Sequence, residues 1–132
     1  MVQKIILESR SENIAQVEKL IDDVCEECKV NQDYYGNILI AITEAVNNAI
    51  VHGNKRNPDK KFFVSCETSD SALTFIVEDE GIGFDFENLP DPTDPDNLEK
   101  PHGRGVFLMR NLADKVNFTE NGRVVELNFH LS

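Results

Sequence analysis

Three polar side chains recur one helical turn apart in an otherwise apolar segment of the chain. Glu44, Asn48 and His52 are spaced by four residues, and residues four apart on a helix are neighbours on its surface. A carboxylate, an amide and an imidazole would therefore form one polar stripe, while the apolar residues around them face a core. A carboxylate can accept a proton from a reacting group, and an amide oxygen is a ligand that Mg²⁺ prefers. The spacing predicts that this stripe lines a site.

Two glycine-containing segments follow the stripe. They are Asp79-x-Gly81-x-Gly83 and Gly103-Arg104-Gly105. The first comes at the end of a β-rich run, and the second comes before an apolar helical pattern. Glycine lets the backbone turn sharply and approach a ligand closely, and N–H groups at the start of a helix attract phosphate. A turn or a helix break would explain either segment alone, but together with the stripe they indicate one binding site.

The patterns along the chain predict the elements that position these segments. A strand at residues 3–8 precedes an amphipathic helix, for which Ser9 and Glu12 would form a capping box. A second helix is expected from about Tyr34 to His52. β-rich runs, a helical pattern and an Asn-Gly turn predict the remaining elements. These are strands at 61–68, 72–79, 115–120 and 123–131 and a helix at 106–113.

Residues 80–105 differ in character from the rest of the chain, and residues 89–96 within them disfavour regular structure. Glycines bracket the acidic and proline-containing part at residues 91–96. A connection this long inside a compact domain is typical of a functional lid or a disordered segment. Its acidic side chains would repel phosphate, so we expect it to shape the opening of the site or a partner surface.

Size and charge restrict the possible partners. The chain has 132 residues, is 40% hydrophobic and carries a formal net charge of −11. This size fits one domain, residues 1–132, around one core. The negative charge opposes contact with nucleic acid or anionic lipid, so a protein partner or a metal-bound anion suits it better. The sequence has neither a signal-peptide pattern nor a membrane-spanning apolar run, and we therefore expect a cytoplasmic protein.

The three cysteines are too few and too sparse to indicate a disulfide framework. Cys25 and Cys28 have the spacing of half a zinc site, but no second pair of Cys or His residues completes it. Both lie in a helical pattern. We therefore expect reduced thiols that pack as small hydrophobic residues.

The three segments, in this order, resemble the motifs of the GHKL, or Bergerat-fold, ATPase superfamily. Its members include histidine-kinase catalytic domains, type II topoisomerase ATPase domains, heat-shock chaperones and mismatch-repair ATPases. Residues 44–53 are similar to the N-box, and residues 79–83 and 103–105 are similar to the two glycine boxes. The short length of the chain and the residues within these motifs are most similar to those of the bacterial anti-sigma-factor serine kinases. Those proteins bind a sigma factor and phosphorylate a small anti-anti-sigma partner on serine.

The resemblance implies an α/β fold and a set of cofactors. The fold would be a two-layer sandwich, in which helices cover one face of a mixed, mainly antiparallel sheet. ATP and Mg²⁺ would be the cofactors, and the nucleotide would lie between the helix layer and the lid. A sigma factor and an anti-anti-sigma protein would be the partners, and a homodimer is expected from the same resemblance.

The resemblance also assigns roles to single residues. Asn48 would help to hold Mg²⁺, and Glu44 would be the general base toward the group that attacks the γ-phosphate, a role worth about 10²–10⁴ in rate. Asp79 would accept a hydrogen bond from the adenine amino group, where guanine presents a carbonyl. Gly81 and Gly83 would let the backbone approach the base.

The second glycine box and the end of the stripe would serve the phosphates. Gly103 and Gly105 would expose backbone N–H groups at a helix N-terminus. Arg104 would either contact the phosphates or face solvent. His52 would either contact the nucleotide or only benefit from the dipole at the end of its helix.

One departure from the superfamily pattern leaves the activity open. Gly122-Arg123 stands where many members have a threonine after the glycine of the last turn. The first hypothesis is an ATP-dependent serine kinase of the anti-sigma type, which the presence of Glu44 favours. The second is an ATP-binding regulatory module that captures a partner without efficient phosphoryl transfer. The third is an α/β scaffold whose glycines form only turns.

Overall fold

The computed structural model describes residues 2–81 and 101–131, and it describes side chains for residues 3–81 and 105–131. Within these ranges there are five strands: β1 Val2–Glu8, β2 Lys61–Thr68, β3 Ala72–Asp79, β4 Lys115–Thr119 and β5 Val124–His130. They form one sheet in the order β1-β2-β3-β5-β4, and each pairing is antiparallel. Three α-helices accompany the sheet: α1 Ile14–Glu27, α2 Gln32–Asn48 and α3 Pro101–Leu112.

The three helices pack on one face of the sheet. Alternate side chains of β2 and β3 are buried, as the two-residue period of a strand requires. They share one core with apolar side chains of all three helices, such as Ile21, Ile42 and Met109. On the opposite face of the sheet, Ile6 is 53% exposed. The predicted two-layer α/β architecture is confirmed. We expected a mixed, mainly antiparallel sheet, and all four strand pairs among the described residues are antiparallel.

The strands agree closely with the sequence prediction. β2 and β3 have the predicted bounds, because alternation in each run changes abruptly to turn residues. β4 and β5 lie within one residue of the predicted bounds and are joined by a short turn at Glu120–Gly122. Gly122 has a φ of 89°, which is the left-handed region that favours glycine. The predicted Asn-Gly turn is therefore confirmed.

The predicted capping box of α1 is wrong. A 3₁₀ turn at Ser11–Asn13 precedes α1, and neither segment is capped by a side chain of the described residues. Ser9 is buried, and its Oγ accepts a hydrogen bond of 2.6 Å from Nδ2 of Asn54. The Ser9 hydroxyl, which the local sequence predicts to cap a helix, thus bonds instead to a residue distant in the chain.

The polar stripe begins on α2 and ends in a π-helical turn. We predicted one α-helix through His52, whereas the α-helix ends at Asn48 and residues Ala49–Gly53 form the π turn. Hydrogen bonds in a π turn join residues five apart rather than four. His52 therefore does not continue the four-residue spacing that places Glu44 beside Asn48.

The last helix begins earlier than predicted. α3 starts at Pro101 rather than near residue 106, and proline suits a first helical position because its missing N–H is not needed there. The segment Gly103-Arg104-Gly105 therefore lies within the first turns of α3, not in front of the helix. Its backbone is still at the N-terminal end, where helix dipoles favour anions.

The cysteines are free thiols, as predicted. Burial is the main cause that raises the pKa of Cys25 to about 11 and the pKa of Cys66 to about 12, so both thiols stay protonated at neutral pH. Among the residues that the structure describes, no group of three or more His, Cys, Asp or Glu side chains could hold a metal ion. None of the described helices has the length and apolar character needed to cross a membrane.

Candidate functional site

The polar stripe of α2 meets the first turns of α3. A Cβ atom placed on Gly105 would lie 3.1 Å from Oε2 of Glu44 and 3.2 Å from Oδ1 of Asn48. Gly105 is itself buried. The side chains of Glu44 and Asn48 come this close to α3 because Gly105 has no side chain of its own. One part of the second glycine segment and two members of the stripe thus lie at one place.

Asn48 carries a buried polar group without a partner. Among the described residues its Nδ2 has no hydrogen-bond acceptor, although Asn48 is only 7% exposed. Leaving a buried donor unsatisfied costs about 1–3 kcal/mol, and buried polar groups in native proteins are normally paired with protein, water or ligand. The amide is therefore suited to a ligand that enters beside it.

The amide oxygen of Asn48 could hold a magnesium ion that is shared with phosphates. Oε2 of Glu44 and Oδ1 of Asn48 both approach the same glycine, and Mg²⁺ takes oxygen ligands. Mg²⁺ is usually held by only one or two protein groups, with substrate phosphates and water completing its shell. The amide oxygen of Asn48 would therefore be a sufficient protein contribution, and the carboxylate of Glu44 beside it would remain available for proton transfer.

Asp79 lies at the end of β3 and is only 6% exposed. Its Oδ1 accepts a hydrogen bond of 2.8 Å from the N–H of Gly81. Burial raises the pKa of Asp79, while the bond from Gly81 and the positive charge of Arg123 act in the opposite direction. The structure thus holds a carboxylate in a dry position and partly compensates its charge.

The end of the π turn packs directly against this carboxylate. A Cβ atom on Gly53 would lie 2.3 Å from Cγ of Asp79, and a Cβ atom on Gly81 would lie 2.0 Å from the carbonyl oxygen of Gly53. Such distances are far inside van der Waals contact. Glycine is therefore required at both positions for α2 and β3 to approach each other here.

Asn48 and Asp79 line one cleft between the helix layer and the sheet. The floor and walls are mainly apolar, as is typical of small-molecule sites. The described lining residues are Ala45, Asn48, Ala49, Val77, Asp79, Met109, Phe118, Gly122, Arg123 and Val125. The cleft thus combines apolar side chains with an amide, a carboxylate and a guanidinium, which are groups that could orient a base by hydrogen bonds.

The remaining predicted residues fall in different places. His52 is half-buried and is not among the described residues of the cleft; burial, followed by the charges of Lys55 and Arg56, lowers its pKa. Gly83 lies outside the described residues. The backbone of Gly103 and Arg104 belongs to α3, but the predicted phosphate contact of the Arg104 side chain lies outside the described part.

Sequence reasoning missed two features of this site. Gly53 was included in the N-box-like segment without a role of its own in the site, although it is the residue that lets Asp79 pack against the π turn. Arg123 was identified as a departure from a motif that could act through its charge, but not as a neighbour of Asp79; it lies in the cleft, and its carbonyl oxygen accepts a 3.1 Å hydrogen bond from Asp79 N–H. The unusual residue after the last glycine was a signal that could have placed Arg123 there.

Comparison with known proteins gives one family match and several relatives. The model of the histidine kinase-like ATPase domain family matches residues 7–129. An anti-sigma F factor of Bacillus velezensis is 34% identical over 125 residues, covering 90% of this chain and 77% of the relative. An anti-sigma F factor of Heyndrickxia coagulans is 34% identical over 136 residues, covering 94% of this chain and 87% of the relative.

A solved structure shares the fold. It is the crystal structure of the RsbU and RsbW domains of Rv1364c from Mycobacterium tuberculosis, with a TM-score of 0.65 and 13% sequence identity. The match covers 98% of this chain but only 31% of that longer chain. At this level of identity the likeness concerns the arrangement of helices and strands alone.

Proposed function

Since the chain belongs to the histidine kinase-like ATPase domain family, and to the group of the anti-sigma F factors within it, we propose that it is an ATP-dependent anti-sigma factor. In this proposal it binds Mg²⁺-ATP and a sigma factor. It transfers the γ-phosphate of ATP to a serine of a small anti-anti-sigma protein. The single observation that carries the proposal is the meeting of Glu44, Asn48 and Gly105 beside the cleft.

The adenine end of the nucleotide is assigned to Asp79. Its carboxylate would accept a hydrogen bond from the adenine amino group, and a guanine carbonyl at the same place would be rejected as a second acceptor. The Gly81 N–H already holds one oxygen of this carboxylate, so the group is oriented before the base enters. Preorganised polar groups of this kind give specificity because binding costs no further ordering.

The phosphate end is assigned to α2 and to the start of α3. Asn48 would hold Mg²⁺ through its amide oxygen, and the bound ion would neutralise phosphate charge during transfer. The backbone N–H of Gly103, in the first turn of α3, would face the phosphates, where the helix dipole is favourable, and the missing side chain of Gly105 would leave space beside Glu44 and Asn48. Gly83 and Arg104 remain proposed contacts of the base and of the phosphates, respectively.

Glu44 is the proposed general base. Its carboxylate would take the proton from the serine hydroxyl as the Oγ atom forms its bond to the γ-phosphorus. The bond between that phosphorus and the β–γ bridging oxygen breaks, and ADP leaves. Glu44 is partly buried and lies beside Asn48 on the same helix face. The proposed base and the proposed magnesium ligand are therefore positioned by one helix.

A second function has one observation in its favour. Arg123 lines the cleft beside Asp79, where many superfamily members have a threonine. If this guanidinium alters how the nucleotide is held, the protein would bind ATP and a partner without efficient transfer. The homodimer and the cytoplasmic location are proposals that rest on the resemblance and on the sequence, and direct nucleic-acid binding is disfavoured by the net charge of −11.

A phosphotransfer assay separates the two functions. The protein is incubated with Mg²⁺, γ-labelled ATP and the small anti-anti-sigma protein of the same genome, and ATP binding is measured in parallel. Label on a serine of the small protein supports the kinase. ATP binding and partner capture without label support the regulatory module, and absence of ATP binding contradicts both.

A further inference from the structure

Asn54 is a fully buried amide that joins three strand ends. It follows the π turn and is 1% exposed. Its Nδ2 donates to Oγ of Ser9 at 2.6 Å and to the carbonyl oxygen of Lys61 at 2.9 Å, and its Oδ1 accepts from the N–H of Glu80 at 2.8 Å. Ser9 follows β1, Lys61 begins β2 and Glu80 follows β3. One side chain therefore connects the end of the helix layer to three neighbouring strands.

The same residue fixes the π turn itself. The N–H of Asn54 donates to the carbonyl oxygen of Ala49 at 2.8 Å, which is the five-residue bond of a π turn. This holds Gly53 in the position where its carbonyl oxygen packs on Gly81 and its Cα faces the carboxylate of Asp79. Asn54 thus determines where the helix layer contacts the end of β3.

The hydrogen bond from the Glu80 N–H to Oδ1 of Asn54 lies next to Asp79 in the chain. Glu80 lies between Asp79 and Gly81, and the N–H of Gly81 holds Oδ1 of Asp79. This local bond is an Asx turn, which by itself would leave the turn free to move relative to the helix layer. The Oδ1 of Asn54 ties the turn to a second element. Two bonds from different elements fix a short loop much better than one bond within it.

We propose that Asn54 is a positioning residue for nucleotide selection: through the N–H of Glu80 it holds residues 79–81 so that the carboxylate of Asp79 faces the adenine amino group. Asn54 acts through Asp79 and does not touch the nucleotide. The proposal rests on the proposed adenine contact of Asp79. This role explains why position 54 holds a buried amide that makes three side-chain hydrogen bonds, rather than an apolar side chain.

The test compares two nucleotides that differ only at the amino group. Dissociation constants are measured for ATP and for purine riboside triphosphate, which lacks the 6-amino group, with the full chain at a temperature where circular dichroism shows it folded. The ratio of the two constants reports the amino-group contact alone. We expect Asn54→Ala to reduce the preference for ATP by about tenfold, as loss of one well-placed hydrogen bond would.

The matched control is Ser9→Ala. It removes the 2.6 Å bond to Nδ2 of Asn54 but leaves the bond from Glu80 to Oδ1 in place. It should lower the melting temperature and keep the nucleotide ratio of the wild type. An Asn54→Ala protein that binds both nucleotides more weakly by the same factor would overturn the proposal, because a purely structural role predicts an unchanged ratio.

Two further variants keep the proposal testable if Asn54→Ala does not fold. Asn54→Asp loses the donor bonds to Ser9 and Lys61 and should be less stable, but it retains an oxygen within reach of the Glu80 N–H and, where it folds, should keep the ratio. Asn54→Ser is too short to reach that N–H and should lower the ratio; equal ratios in the two folded variants would contradict the proposal. Asp79→Ala tests the adenine contact of Asp79 separately from the positioning role of Asn54. If Asp79→Ala leaves the ratio unchanged, the adenine assignment itself fails, and if only Asn54→Ala leaves it unchanged, the positioning role alone fails.

Discussion

Replacing Gly53 with alanine would place a methyl group in space that the carboxylate of Asp79 occupies. The new Cβ atom would lie 2.3 Å from Cγ and 2.3 Å from Oδ2 of Asp79. Ordinary contacts of this kind begin near 3.4 Å, so one of the two groups must move by about 1 Å. The backbone of the π turn is held by its own hydrogen bonds, and we therefore expect the carboxylate to move.

The displacement has two separate costs. Forcing extra atoms into a packed region costs about 1–3 kcal/mol of folding stability. A shift of this size also breaks the 2.8 Å bond from Gly81 to Oδ1 and removes Asp79 from its place in the cleft. Loss of the proposed hydrogen bond from adenine to this carboxylate would cost about 1.5–3 kcal/mol of binding free energy, which corresponds to about 10- to 150-fold weaker binding of ATP.

Urea unfolding and an ATP titration measure the two costs independently. Gly36→Ala is the matched control, because Gly36 lies inside α2 and a Cβ atom there has nothing within 4 Å. This control should gain up to about 1 kcal/mol of stability, since alanine is the better helix former, and should bind ATP as the wild type does. A Gly53→Ala protein with wild-type stability and wild-type ATP affinity would refute the reasoning.

Two other substitutions test the two ends of the cleft. Arg123→Gln should move the acid limb of ATP binding to higher pH. Burial already raises the pKa of Asp79, the charge of Arg123 opposes that rise, and the ionised carboxylate is the stronger acceptor for the proposed hydrogen bond from adenine. Lys115→Gln, which removes an exposed charge, should leave the limb in place, and equal pH profiles for the two variants would contradict this view. Asn48→Ala should abolish the dependence of ATP affinity on Mg²⁺, while Asn47→Ala on the exposed side of α2 should retain it; retention in both would remove Asn48 from the metal site.

The strands were predictable because their pattern is local. Every second residue of β3, and every second residue of β2 up to Cys66, is buried, and both strands end at turn residues, so the two-residue period predicts them. The four-residue spacing of Glu44 and Asn48 likewise needs only an α-helix between them. Their meeting with Gly105 could be expected from the resemblance but not from the helix pattern.

The features that sequence did not predict depend on contacts between distant segments. The capping box failed because Ser9 bonds to Asn54, 45 residues away. The π turn exists where Gly53 packs on the end of β3, and no periodicity in the helix encodes that contact. Asn54 and Arg123 have roles that appear only once β3 is placed beside them. Propensity and pattern describe single elements, whereas these residues serve the junction between elements.

The catalytic assignment of Glu44 is tested most directly by single-turnover phosphotransfer with Glu44→Gln. The variant keeps the size of the side chain but cannot act as a base. We expect transfer of the γ-phosphate to the anti-anti-sigma protein to fall by about 10²–10⁴, while the dissociation constant for Mg²⁺-ATP changes by less than about threefold. Glu126→Gln, an exposed carboxylate on β5, should transfer at the wild-type rate. Wild-type transfer by Glu44→Gln would contradict the proposed role of this carboxylate.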